Sequence, residues 1–144
     1  IITLDFFYNI IVTTMATLAN LVKLVHLFFV LFVLIGPFLK QPGFLLIHFV
    51  YTLCLMVHWA CNDNSCSLTI LEAGLRGIKP DKTFIHQLVS PIYDISEYPK
   101  TVNFLIWGIT ILASIFSLYK LITLTRKLID EGKPLTLRNF LIIK

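Results

Sequence analysis

Charged residues are scarce in this chain. Aspartate, glutamate, lysine and arginine together make up 14% of the 144 residues, whereas hydrophobic residues make up 57% and the mean hydropathy is +0.84. A soluble domain carries about a quarter charged residues, and so short a chain leaves much of its surface exposed to its solvent. The composition therefore excludes an ordinary water-soluble domain and indicates an integral membrane protein.

The chain also lacks the motifs that mark common catalytic sites. It contains no phosphate-binding glycine loop, no His-Glu-x-x-His sequence and no glycine-flanked nucleophilic serine. No acidic residue lies deep within a clear apolar run, which argues against a proton-coupled transporter. The net charge of +4 does not indicate a partner nucleic acid, because the basic residues are spread over the ends of apolar runs. We therefore expect no enzyme activity, no cofactor and no nucleic-acid binding.

Three apolar runs predict membrane-spanning helices. They cover about residues 21–39, 44–60 and 102–124, which is near or above the length that crosses a hydrocarbon core of about 30 Å. The first two form a helical hairpin, because Lys40-Gln41-Pro42-Gly43 between them is a turn sequence. Gly36-Pro37 predicts a kink in the first helix, since proline lacks a backbone donor. The expected fold is all-α, with one membrane domain over residues 1–144.

Residues 5–20 leave the number of spans at three or four. This stretch is apolar but contains several threonines and asparagines. It fits three interpretations equally: a fourth span, an interfacial helix, or the beginning of the helix that includes residues 21–39.

The polar loop at residues 61–101 predicts short amphipathic helices. Thr69-x-x-Glu72 is a capping-box pattern, so we expect the Thr69 hydroxyl and the Glu72 carboxylate to cap a helix that extends through Arg76. A second short helix is expected over residues 82–89. The basic tail at residues 125–144 lies on the opposite side of the membrane from this loop, and its lysines and arginines favour a cytoplasmic C-terminus.

Two histidines suggest an alternative function. His26 precedes the hairpin turn by about 14 residues and His58 follows it by about 15, which places both at one depth in an antiparallel hairpin. Together with Cys66 they have the chemistry to bind zinc or copper, and two imidazoles can ligate a haem. The simpler interpretation, which we prefer, is that each histidine bonds to water or backbone. Cys61 and Cys66 fit either a small disulfide loop or two free thiols.

Several segments between residues 24 and 77 are similar to an uncharacterised family of small bacterial membrane proteins. They are Val25-His26-Leu27, Leu34-Ile35-Gly36-Pro37-Phe38, Leu46-Ile47-His48, His58-Trp59, and Cys66-Ser67-Leu68-Thr69-Ile70-Leu71-Glu72 followed by Leu75-Arg76. That family carries a Cys-Pro-Leu-Thr-x-x-Glu segment, in which Ser67 here replaces the proline. Similar proteins occur in large DNA viruses of algae and protists. The resemblance implies a polytopic membrane protein of viral origin, and it implies no reaction.

These observations together predict a structural integral membrane protein that forms part of a larger assembly. Its expected partners are the lipid bilayer and other protein subunits. The resemblance implies the internal membrane and capsid of a large DNA virus as the setting, with the chain as a minor capsid protein of the virion.

Overall fold

The structure, a computed structural model, describes residues 2–79 and 98–132. The helices within these ranges are α1 (Ile2–Ile35), a 3-10 turn (Gly36–Phe38), α2 (Pro42–Cys61), α3 (Ser67–Arg76) and α4 (Pro99–Asp130). Three of them, α1, α2 and α4, are long and apolar enough to cross a membrane. The all-α fold with three spanning helices is thereby confirmed. The helix expected over residues 82–89 and the tail from residue 133 lie outside the described residues.

Residues 5–20 belong to α1, a single helix of 34 residues. The third of the three interpretations is therefore correct, and no separate fourth span or interfacial helix forms there. The hydroxyls of Thr13, Thr14 and Thr17 each donate to the backbone carbonyl four residues earlier, at 2.8 Å. These bonds satisfy the hydroxyl donors within the helix, so the stretch stays helical in apolar surroundings.

Gly36-Pro37 ends α1 instead of kinking it, which corrects the sequence-based expectation. The α-helix stops at Ile35, and Gly36–Phe38 forms a 3-10 turn that the amide of Leu39 closes by donating to the carbonyl of Gly36 at 3.1 Å. Pro37 has no amide hydrogen with which to continue the α-helical ladder. The chain then reverses into α2, which begins with Pro42 at a position that favours proline.

Small and polar side chains fill the interface along which α4 packs on α2. The buried residues of these two helices include Leu45, His48, Thr52, Thr110, Ser114 and Ser117. Short side chains allow two membrane helices to approach closely. Large apolar side chains on the other faces of both helices are exposed, as expected where lipid is the solvent.

α1 contacts α2 and α3 in different ways. Against α2 it uses aromatic rings: the ring centroid of Tyr51 lies 5.6 Å from that of Phe29 and 5.5 Å from that of Phe32. Against α3 it uses alanines, since Ala19 and Ala73 are 0% and 2% exposed. The small side chains bring the short α3 close to the middle of α1.

The three spans predict the sidedness of the connecting segments. Single cysteines at Gln41, Asp63 and Glu131, in a chain whose Cys54, Cys61 and Cys66 are replaced, should divide into two groups. We expect an impermeant thiol reagent to label Gln41 and Glu131 from one side of sealed vesicles, and Asp63 only from the other. Labelling of all three after permeabilisation is the control. If Asp63 is labelled from the same side as Gln41, α2 does not cross the membrane.

Candidate functional site

His48 is the polar centre of the helix bundle. Its side chain is 0% exposed. Nε2 lies 3.1 Å from the backbone carbonyl oxygen of Val33 in α1, and Nδ1 lies 2.8 Å from the hydroxyl of Ser117 in α4. Because a carbonyl only accepts, Nε2 carries a proton, and in the neutral ring this leaves Nδ1 to accept from the hydroxyl. One neutral imidazole on α2 therefore binds α1 and α4 together.

Gly36 is the residue that allows the turn after α1 to lie against the His48 ring. A Cβ atom at Gly36 would lie 2.0 Å from Cδ2 of His48, which is far inside normal contact distance. The Phe32 ring packs edge-on against the imidazole at 5.3 Å between centroids. Gly36, named from the sequence as a structural residue, is thus required by a contact with another helix.

The bond between Ser117 and His48 joins a nucleophilic residue type to a general base. Such a pair can activate a serine for covalent catalysis when a substrate can reach the hydroxyl. Ser117 and His48 are both 0% exposed, so a substrate cannot reach either side chain unless a helix moves. The pair therefore acts as a contact between helices.

Lys120 of α4 binds the turn that joins α1 to α2. Its ammonium donates to the carbonyl of Pro37 at 2.9 Å and to the carbonyl of Leu39 at 2.8 Å. The end of a helix leaves carbonyls without intrahelical donors, and Lys120 supplies donors at this end. The ammonium also lies 5.7 Å from the centroid of the Phe116 ring. α4 itself extends past the predicted span of residues 102–124 at both ends, from Pro99 to Asp130.

A second polar cluster lies where α3 packs on α1. The Glu72 side chain is 0% exposed, and its Oε1 accepts from Nε of Arg76 at 2.9 Å. The Nη2 group of Arg76 donates to Oδ1 of Asn20 in α1 at 2.8 Å. His26, also on α1, is 6% exposed, and the charge of Glu72 acts on its ring. This cluster brings an ionisable pair into the contact between the two helices.

Thr69 does not cap α3, so the capping-box prediction is wrong. The helix begins at Ser67, two residues earlier, and Thr69 lies inside it. The imidazole of His58 supplies the missing acceptor, since its Nε2 accepts the backbone amide of Ser67 at 3.1 Å. Glu72 pairs with Arg76 and not with the Thr69 amide. The expected end of the helix at Arg76 is confirmed, and Gly77 follows it with a φ of +64°, a conformation that glycine adopts without strain.

The structure gives His26 and His58 different surroundings. His26 lies near Glu72. His58 instead bonds to Ser67, and its Nδ1 lies 3.2 Å from the side-chain amide nitrogen of Asn62. Within residues 2–79 and 98–132, no group of three or more His, Cys, Asp or Glu side chains is arranged to hold a metal ion. The metal-binding alternative with Cys66 gains no support from this geometry. Cys61 and Cys66 are free thiols.

Replacing Gly36 by alanine should destabilise the fold. The added methyl group overlaps the His48 ring, and overpacking of this kind costs about 1–3 kcal/mol. We expect Gly36→Ala to lower the free energy of unfolding in detergent by about that amount. Gly108→Ala in α4 is the matched control, because nothing lies within 4 Å of a Cβ atom there; it should leave stability unchanged or raise it. Equal effects of the two substitutions would contradict the proposed contact.

Replacing Ser117 by alanine should leave Nδ1 of His48 buried without a donor. An unsatisfied buried acceptor costs about 1–3 kcal/mol, and the free energy of unfolding should fall by that amount. Ser114→Ala is the comparison, because Ser114 is also buried on α4 but bonds to no other helix in the described part of the chain. A larger loss at Ser114 than at Ser117 would rule out the three-helix contact.

These features define a polytopic all-α membrane protein whose polar side chains bind one another across helices. The chain belongs to the family described as Protein of Unknown function (DUF2784), whose model matches residues 16–120. The matched range includes His48, Ser117 and Glu72. No curated protein and no solved structure matches the chain. Membership of an uncharacterised family is thus shown, while the bacterial and viral connections stay predictions.

Proposed function

We propose that this chain is a non-enzymatic structural subunit of a larger membrane assembly, and that the N-terminal half of α1 binds a neighbouring subunit. One observation carries this proposal. Every residue from 5 to 18 is exposed, although most of them are large and apolar. The rest of α1 is covered in part by α2, α3 and α4, whereas residues 5–18 are the longest uninterrupted run of exposed residues in the described ranges.

The length of α1 supports the same conclusion. A helix of 34 residues is about 51 Å long at about 1.5 Å per residue, whereas the hydrocarbon core is about 30 Å thick. Even a tilt of about 40°, the upper end of the usual range, leaves about 39 Å along the membrane normal. One crossing therefore does not accommodate the whole apolar surface of α1. A second protein chain beside residues 5–18 would cover the remainder.

The chemistry of this surface fits a neighbouring helix better than lipid alone. Phe6, Asn9, Ile10, Thr13 and Thr14 line a shallow groove along one side of α1. The threonine hydroxyls are bonded within the helix, whereas the Asn9 amide bonds to no other residue in the described ranges. An amide facing hydrocarbon is costly, and asparagine commonly pairs two membrane helices by a hydrogen bond.

The setting of this assembly is also part of the proposal. We infer an internal membrane beneath the capsid of a large DNA virus from the resemblance described above, and a cytoplasmic C-terminus from the basic tail. The groove on α1 supports an assembly of subunits in any membrane. It lies outside the residues 16–120 that match the family model, so the partner is expected to be particular to this chain.

Site-specific photocrosslinking in the native membrane tests the proposal. A benzophenone amino acid at Thr13 lies in the groove, and one at Leu112 of α4 lies on a side chain that is 68% exposed. We expect irradiation to give a discrete, stoichiometric protein adduct from Thr13 and lipid adducts alone from Leu112. Lipid adducts alone from both positions would contradict a subunit contact at this groove.

The Asn9 amide supplies a matched pair of variants. Asn9→Leu should reduce the yield of the Thr13 adduct at least several-fold and release the chain from its complex in mild detergent. Asn103→Leu makes the same change on α4, at a position that is likewise exposed, and should leave the adduct unchanged. If Asn9→Leu has no effect, the amide does not contribute to the contact.

A further inference from the structure

We propose that Glu72 and His26 form a proton-binding pair, buried between α3 and α1, that holds one exchangeable proton. The inference does not depend on the proposed subunit contact, since it concerns a different half of α1.

The carboxylate of Glu72 is only half satisfied. Its Oε1 accepts from Arg76, whose Nη2 is bonded to Asn20. Its Oε2 is buried and has no hydrogen-bond partner among the described residues. Both oxygens of an ionised carboxylate accept hydrogen bonds, and a buried charge without them is costly. A proton at or beside Oε2 would remove that cost.

His26 is the titratable group on α1 that can share this proton. Its ring is 6% exposed, and it lies seven residues, or about two helical turns, after Ala19 on the same face of α1. Ala19 marks where α3 packs closely. Imidazole both accepts and donates, so two states are open to the pair. The proton forms an O–H bond at Oε2 beside a neutral ring, or an N–H bond on the ring beside a carboxylate.

Two further charged groups lie on the same two helices as the pair. Arg76 on α3 pairs with Oε1 of Glu72, and its side chain is 24% exposed, so the cluster extends from the buried carboxylate to the surface of the described fold. Lys23 lies on α1 between Asn20 and His26. Arg76 and Lys23 are cations, and Glu72 and His26 are the carboxyl and the imidazole that we assign to the exchange of a proton.

Proton counting on the full chain in lipid nanodiscs tests the pair. When the pH is stepped, the wild-type protein should bind about one proton in a step that the double variant His26→Gln/Glu72→Gln abolishes. Each single variant leaves one of the two groups, so its step should move to a different pH interval, because interacting groups titrate as a unit. Asp5→Asn is the control; Asp5 is exposed near the far end of α1, and this variant should retain the wild-type step. Single variants that both keep the wild-type step over the same pH interval would overturn the proposal.

Spectra of the unsubstituted chain supply a second readout that does not require a variant to fold. The ¹³C signal of the Glu72 carboxyl and the ¹⁵N signals of the His26 ring should change over the same pH interval. If Glu72 stays ionised throughout, or if the two residues titrate over separate intervals, no shared proton exists. A missing photocrosslink at Thr13 would not change these results, so either proposal can be refuted without refuting the other.

Discussion

A neutral imidazole enclosed by membrane helices keeps both ring nitrogens bonded only if one acceptor and one donor reach it from other parts of the chain. His48 obtains the acceptor from the Val33 carbonyl and the donor from the Ser117 hydroxyl. These groups lie on different helices, so the ring fixes α1 and α4 against α2. The glycine at residue 36 follows from this constraint, since the turn passes over the ring. The short side chains along α4 follow too, because Ser117 reaches the imidazole only when the helices are close.

The two polar clusters differ in how completely their buried polar groups are hydrogen-bonded. Around His48 every donor has an acceptor, and the groups are closed off from solvent. Around Glu72 one carboxylate oxygen has no partner in the described chain, and Arg76 is partly exposed. A site in which every buried polar group is hydrogen-bonded is rigid. A buried polar group without a hydrogen bond raises the free energy of the fold, and a ligand or a proton that binds it can lower that free energy. The first cluster therefore serves stability, and the second is the one able to respond to its surroundings.

The thickness of the membrane explains which features the sequence reveals. It imposes a length on each spanning helix, so composition and run length were enough to identify three spans. Contacts between distant residues carry no such local signal. His26 and His58 stood out because helical rise sets their depth, yet the central histidine is His48, whose partner Ser117 lies 69 residues away. The Thr69 cap failed for the same reason: the acceptor for the start of α3 comes from His58, on a different helix.

Synthesis of the chain from its N-terminus means that α1 and α2 enter the bilayer well before α4. His48 consequently arrives with the Val33 carbonyl already available but with no hydroxyl for Nδ1. The same interval leaves the carbonyls of Pro37 and Leu39 without the ammonium of Lys120. A nascent chain that stops short of α4 thus exposes an acceptor-rich patch inside the membrane, and a finished chain does not. The last helix therefore supplies the hydrogen-bond donors that α1, the turn and α2 lack by themselves.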